Sequence, residues 1–239
     1  MISIFNNKAE IAAQAADIFV LAAQNAIQEH GRFVVALTGG SSPADIYKLL
    51  AMPDYKAKID WNHVYIFWGD ERWVALEDER SNAKMSSDYL LDHVAIPKSN
   101  IFPMYHNKST PEDYALQYEE FIKNIAGENG IFDLILLGMG DDGHTASLFP
   151  GQDVLKEEVK WVSAYYLDSQ SMYRITLTAP IINRAKQIIV VAFGEKKAAA
   201  LKEVLYGDYN PMQYPMQLIK PAQGKLLFLT DRDAAGTDQ

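Results

Sequence analysis

The 239-residue sequence contains no cysteine, which excludes disulfides, thiolate catalysis and cysteine–zinc sites. No apolar run approaches the roughly 20 residues a helix needs to span a bilayer, so no membrane partner is expected. The N-terminus, MISIFNNKAE, lacks the basic region and apolar core of a secretory signal, and a cytoplasmic protein is the expectation. Positive charge is also scarce: 22 Lys and Arg face 31 Asp and Glu, for a net charge of −9. A nucleic-acid backbone needs a basic face, so no nucleic-acid partner is expected. A small anion is not excluded, because exposed charges are screened beyond about 8 Å at physiological salt. If the ligand is anionic, its site must be locally basic. The five histidines are widely spaced and offer no metal-ligand pattern, and neither a metal nor another cofactor is expected. No Pro/Gly/Ser-rich linker, repeat or low-complexity segment divides the chain, so residues 1–239 are expected to form one domain.

What is present is an alternation of helices and apolar strands. Ile11, Ala15, Ile18, Phe19, Ala22 and Ala26 share one face of a helix predicted over Ala9–Gln28, with Gly31 as its stop. Strands are predicted at Phe33–Leu37, His63–Trp68, Phe132–Leu137, Lys160–Tyr166, Arg174–Thr178, Gln187–Phe193 and Leu226–Thr230, and Ala234–Gln239 reads as a frayed tail. Ser81 and Thr110 read as helix caps, the latter followed by Pro111 and two acids. Such alternation implies a mostly parallel sheet covered by helices on both faces, a three-layer α/β fold. Ligands of such sheets sit at the carboxyl ends of the strands. Four polar segments leave those ends: TGGSSP (Thr38–Pro43), Asp70-Glu71-Arg72, the central loop GMGDDGH (Gly138–His144) and Gly194-Glu195-Lys196-Lys197.

Each segment has a plain structural reading beside the chemical one. TGGSSP could simply cap a helix through Ser41 or Ser42, or it could cradle an anion on free backbone N–H groups. The Asp70–Arg72 cluster alone reads as a solvated turn, and Arg174, at the entry of its strand, as a surface residue. Lys196 and Lys197 fall in a helix's first turn, where the dipole disfavours cations by a few tenths of a kcal/mol to about 1, which suggests a bound anion. Gly138, Gly140 and Gly143 match G-x-G-x-x-G, but Pro150-Gly151 interrupts any following helix, so the dinucleotide fingerprint fails in context. His144 could be a structural histidine; set in a glycine loop with Asp142 two residues earlier, it reads instead as a general base held by a carboxylate. His30, His63, His93 and His106 sit in no such pattern. The residues alone imply an enzyme that binds a small phosphorylated or otherwise anionic molecule and transfers a proton through His144 and Asp142.

LTGGSSP (Leu37–Pro43), FWGDERWV (Phe67–Val74), LLGMGDDGHTASLFPG (Leu136–Gly151), YRITLT (Tyr173–Thr178) and FGEKKAAAL (Phe193–Leu201) together resemble, in order, the landmarks of the 6-phosphogluconolactonase family. The resemblance spans almost the whole chain, and the central block is its most specific part. It implies a Rossmann-like fold with no metal or cofactor, and hydrolysis of 6-phospho-D-glucono-1,5-lactone to 6-phosphogluconate, the second step of the oxidative pentose phosphate pathway. By position it makes His144 the base that activates water, with Asp142 its orienting partner. Gly39, Gly40 and Ser41 would cradle the phosphate, Arg72, Arg174 and Lys197 would supply positive charge, and Asp70 would lie near the sugar ring. Ser147 is not needed as a nucleophile. Asp141 stands where the family often has proline, and its side chain is expected to point away. The resemblance leaves open a monomer or a small homo-oligomer. A sister family, glucosamine-6-phosphate deaminase, carries a glutamate five residues past the histidine, where this chain has Phe149. A non-catalytic sugar-phosphate module would have no use for Asp142 and His144.

Overall fold

The computed structural model describes residues 1–40 and 42–236. In chain order it runs β1 (Ile2–Phe5), α1 (Lys8–His30), β2 (Phe33–Leu37), α2 (Ala44–Ala51), α3 (Pro53–Lys56), β3 (Val64–Trp68), β4 (Asp70–Arg72), α4 (Asn82–Tyr89) and α5 (Pro111–Ala126). There follow β5 (Leu134–Gly138), β6 (Val162–Leu167), β7 (Met172–Leu177), α6 (Ala179–Ile182), β8 (Gln187–Ala192), α7 (Ala198–Tyr206), β9 (Lys225–Asp231) and α8 (Arg232–Ala235).

The apolar runs make the sheet. Every residue of β2 is buried, as are the first four of β5 and all but the first of β8, the pattern of strands covered on both faces. Six strands pair in the order β1-β9-β8-β5-β2-β3, with every pairing parallel, and helices flank the sheet. After β3 the chain crosses back over β2 to place β5 on its other side. This reversal makes the carboxyl ends of β2 and β5 a topological switch point, where loops diverge and leave a crevice.

The caps predicted at Ser81 and Thr110 are present, and α1 begins at Lys8, one residue before its predicted start. Asn7 caps α1, accepting from the Glu10 N–H at 3.0 Å; Ser81 caps α4 and Thr110 caps α5, each at 3.1 Å. At α2 the cap position is held by Pro43, without a side-chain hydrogen bond, and not by Ser42; Ser41 lies outside the described residues. A buried phenol does the work instead. Tyr47 O–H donates to the Thr38 carbonyl at 2.7 Å and accepts from the Thr38 N–H at 3.0 Å, which ties the turn after β2 to the next helix.

Three corrections concern elements around the crevice. Asp70–Arg72 is a strand rather than a solvated turn, and with β7 and β6 it forms a separate antiparallel sheet in the order β4-β7-β6. Arg174 is therefore the third residue of β7 and is buried, its cross-strand partner being Arg72. Lys196 and Lys197 occupy a 3-10 turn, Glu195–Lys197, immediately before α7. The edge strand β1 is too short to have given a sequence signal. Ala234 is buried within α8, so the frayed tail does not begin there; 237–239 lie outside the described residues.

Candidate active site

At the carboxyl ends of the sheet lies a cavity of about 280 Å³. Thr38, Gly39, Gly40 and Ser42 bring the loop after β2 to it; Gly138, Met139, Gly140, His144, Ala146 and Phe149 bring the loop after β5. Asp70, Arg72, Arg174 and Lys197 enter from the other elements. Seven of the nine residues predicted from sequence thus line one space. Asp142 stands behind it, bonded to His144, and Ser41 is outside the described residues.

His144 is held by Asp142. Its Nδ1 lies 2.6 Å from Asp142 Oδ1, and its backbone N–H donates to the same oxygen at 3.1 Å. Because a carboxylate accepts, Nδ1 carries the proton and Nε2 keeps the lone pair. Burial raises the Asp142 pKa, but the His144 ring and backbone hydrogen bonds outweigh it, so the carboxyl lies below its ordinary value. It stays the acceptor at neutral pH. The loop's tight path is needed for this pair: a Cβ on Gly140 would lie 2.0 Å from His144 Nδ1 and 2.6 Å from Asp142 Oδ1. The imidazole rests on the Phe149 ring. Ala146, two residues on, is held at φ 48, a left-handed conformation rare for residues other than glycine.

The cationic wall is built on the small sheet. Arg72 Nη1 donates to the Arg80 carbonyl at 2.8 Å, and Arg174 Nη2 donates to Gln170 Oε1. Among the described residues, the Nε groups of both arginines are buried without a hydrogen-bond partner. Unpaired donors of this kind cost about 1–3 kcal/mol each, and the two side chains that carry them line the cavity. Burial pulls Arg174 below its ordinary pKa, Asp70 acting against this and Arg72 with it; a guanidinium remains charged regardless. Asp70 lies 3.8 Å from Arg174 Nη1 and accepts from Ser147 Oγ at 2.6 Å and from Asn82 Nδ2 at 3.3 Å. Ser147 is buried and is spent on Asp70, as is consistent with its not being a nucleophile.

The Asp141 side chain does not point away. Its Oδ1 lies 2.6 Å from Lys197 Nζ. The expectation failed because the two residues meet only through the pairing of β5 with β8, whose carboxyl ends lead to them.

Three further side chains support the site without a local sequence signal for that role. Asn82 lines the cavity and fits against Gly39 so closely that a Cβ there would be 1.8 Å from its Oδ1; as the residue after a helix cap it gave no signal. Gln170, in a turn, engages Arg174. Glu71 is fully buried and accepts from the backbone N–H groups of Asn82, Ala83 and Arg72. His30 and His63 do meet carboxylates, Asp133 and Asp60, both at 2.9 Å, but they precede β2 and β3 and so lie at the opposite end of the sheet. Among the described residues no group of three His, Asp or Glu side chains could hold a metal ion, and no helix is long and apolar enough to cross a membrane.

A parallel α/β sheet that presents an acid–imidazole pair and a row of cations in one crevice defines a Rossmann-like protein equipped for proton transfer on an anionic ligand. Residues 6–228 match the family described as "Glucosamine-6-phosphate isomerases/6-phosphogluconolactonase", and the chain belongs to that family. A 6-phosphogluconolactonase of Synechocystis is 40% identical over 213 residues, covering 87% of this chain and 86% of the relative. The solved structure of 6-phosphogluconolactonase from Trypanosoma brucei superposes with a TM-score of 0.85 at 26% identity, covering 100% of this chain and 98% of that one. A monomeric glucosamine-6-phosphate deaminase superposes with a TM-score of 0.84 at 21% identity, covering 99% of each chain; that likeness shows the fold alone.

Proposed function

We propose that the chain hydrolyses 6-phospho-D-glucono-1,5-lactone to 6-phosphogluconate, with residues 1–239 acting as one domain. The observation that carries this reading is the His144–Asp142 pair facing a cavity shared with Arg72, Arg174 and Lys197. Asp142 fixes the tautomer, and Nε2 of His144 takes a proton from water as the oxygen attacks the lactone carbonyl. The tetrahedral intermediate collapses by expelling the ring oxygen, which receives that proton from the imidazolium. One water is consumed, the carbonyl–ring oxygen bond breaks, and the acid formed ionises. A δ-lactone is already an activated ester, so a positioned base, worth on the order of 10²–10⁴ in rate, needs no covalent nucleophile beside it.

The phosphate is bound by the arginines, Lys197 and the backbone of Gly39 and Gly40. The placement of both guanidinium side chains and Lys197 around one cavity supports this, since guanidinium groups pair with phosphate oxygens through charge-assisted hydrogen bonds. Asp70 holds Arg174 and Ser147 in place beside the sugar. The high identity to lactonases over most of the chain supports the same reaction. Deamination is disfavoured at a specific atom set: where the deaminase pattern has a glutamate, Phe149 offers His144 an apolar ring and no second proton carrier. The test is proton release from freshly made lactone, with and without protein, corrected for spontaneous opening, beside an ammonia assay with glucosamine 6-phosphate. Accelerated proton release without ammonia is the expected result; ammonia release, or lactone opening at the spontaneous rate, would overturn it.

A further inference from the structure

Two carboxylates touch the cations of the cavity, and they differ in how firmly they are held. Asp70 is buried and pinned by Ser147 and Asn82 as well as by Arg174. Asp141 is 57% exposed, and its partner among the described residues is Lys197 alone. The loop that carries Asp141 does not depend on it. Gly140 N–H donates to the His144 carbonyl at 2.8 Å, Thr145 Oγ1 to the Gly138 carbonyl at 2.8 Å, and Met216 N–H to the Gly143 carbonyl at 2.9 Å. Lys197, by contrast, needs an anion beside it. It stands directly before the first residue of α7, where the helix dipole opposes positive charge, and its side chain is only 21% exposed.

We propose that Asp141 is a resident counter-ion for Lys197, which the phosphate of the ligand must displace, and that it thereby sets how tightly the site holds its phosphorylated product. The inference rests on the lactonase reading for the identity of that product. The Asp141 carboxylate occupies the place at Lys197 Nζ that a phosphate oxygen would take. When phosphate arrives, Asp141 is free to turn into solvent, because nothing else among the described residues holds it. It then remains a like charge near the bound dianion. Both effects weaken binding, and both act on product as well as substrate. A hydrolase that must release a product carrying a new carboxylate in addition to its phosphate gains turnover from such a competitor.

The test is calorimetric titration of 6-phosphogluconate, and separately of inorganic phosphate, into wild type, Asp141→Asn, Lys197→Ala and the double variant. Asp141→Asn keeps the side chain's volume and leaves the His144–Asp142 pair alone. It is expected to tighten both ligands by roughly 2- to 5-fold, the range of a partly exposed ion pair, and to lower KM and the product-inhibition constant together. In the Lys197→Ala background the same change should tighten binding less, by the like-charge part alone. Unchanged or weaker binding in Asp141→Asn would overturn the proposal. So would equal tightening with and without Lys197, since that would make the effect one of net charge rather than of this pair. Asp141→Ala, expected to act in the same direction, guards against a local fault of the asparagine. If wild type neither binds 6-phosphogluconate nor opens the lactone, the functional reading fails and takes this inference with it; if wild type does both and Asp141→Asn matches it, only the counter-ion role is lost.

Discussion

The rings of His144 and Phe149 stack with their centroids 4.1 Å apart and their planes 27° from parallel. The Arg174 guanidinium lies over the same ring at 5.6 Å, so one aromatic side chain supports both the base and a cation of the phosphate wall. Aromatic pairing and cation–π contact contribute about 0.5–1.5 kcal/mol each. Phe149→Leu, which keeps most of the apolar volume, is therefore expected to lower kcat/KM by roughly 3- to 10-fold. Steady-state kinetics should show the loss in both kcat and KM. A change in one alone would mean that the ring supports only one of its two neighbours.

The Asp142–His144 hydrogen bond makes a sharper prediction. His144→Ala removes the base and should cut kcat by roughly 10²-fold or more. Asp142→Asn keeps the shape but can present an N–H to Nδ1 and leave the proton on Nε2, where it blocks the attack on water; kcat should fall by roughly 10²-fold. Because the two residues act as a unit, the double variant should be little worse than His144→Ala. Affinity for 6-phosphogluconate should stay near wild type in all three. An unchanged rate in His144→Ala would remove it from the mechanism.

Loss of a phosphate cation should appear mainly in KM, as loss of binding common to ground and transition states does. Lys197→Ala tests this cleanly because its side chain is partly exposed. Arg174→Ala does not, because Arg174 is 4% exposed and stands against the buried Asp70; breaking a buried pair from one side costs about 3–5 kcal/mol of stability. Arg174→Lys keeps the charge and loses the planar fork. It should raise KM by roughly 10-fold, with a far smaller fall in melting temperature than Arg174→Ala. Equal melting temperatures for the two variants would mean that Asp70 does not depend on the cation.

The main sheet and the dyad could be read in advance, for local reasons. β2, β5 and β8 are buried on both faces and so appear as unbroken apolar runs, and Asp142 and His144 meet within one glycine loop. The small sheet could not be read this way. Asp70-Glu71-Arg72 looks solvated because three charges in a row usually are; its burial comes from β7 on one side and the start of α4 on the other. Arg174 reads as a surface residue because a single arginine at the entry of a strand usually is one. Asp141 and Lys197 are brought together only by the neighbouring placement of β5 and β8, which no local pattern encodes.

Glu71 is the least expected of these buried charges, and its titration should be visible in stability. Its Oε1 accepts from Asn82 N–H at 2.7 Å and Arg72 N–H at 2.8 Å, and its Oε2 from Ala83 N–H at 2.8 Å and Ser81 O–H at 3.0 Å. Burial nevertheless pushes its pKa up to about 7, those hydrogen bonds acting against the rise. The folded protein therefore holds a proton between about pH 4.5 and 7 that the unfolded chain has released, and stability from this group grows as pH falls through that window and is absent above it. Glu71→Gln does not titrate and turns an amide N–H toward the Ala83 or Asn82 donor, which should cost about 1–3 kcal/mol at pH 8. The gap between wild type and variant should widen by about 2–3 kcal/mol on going down to pH 4.5, measured by urea unfolding at several pH values. Since Asn82 and Arg72 both hang from this carboxylate, KM should rise in the variant more than kcat falls. A gap that stays constant with pH would mean that Glu71 is ionised throughout, with its four donors outweighing its burial.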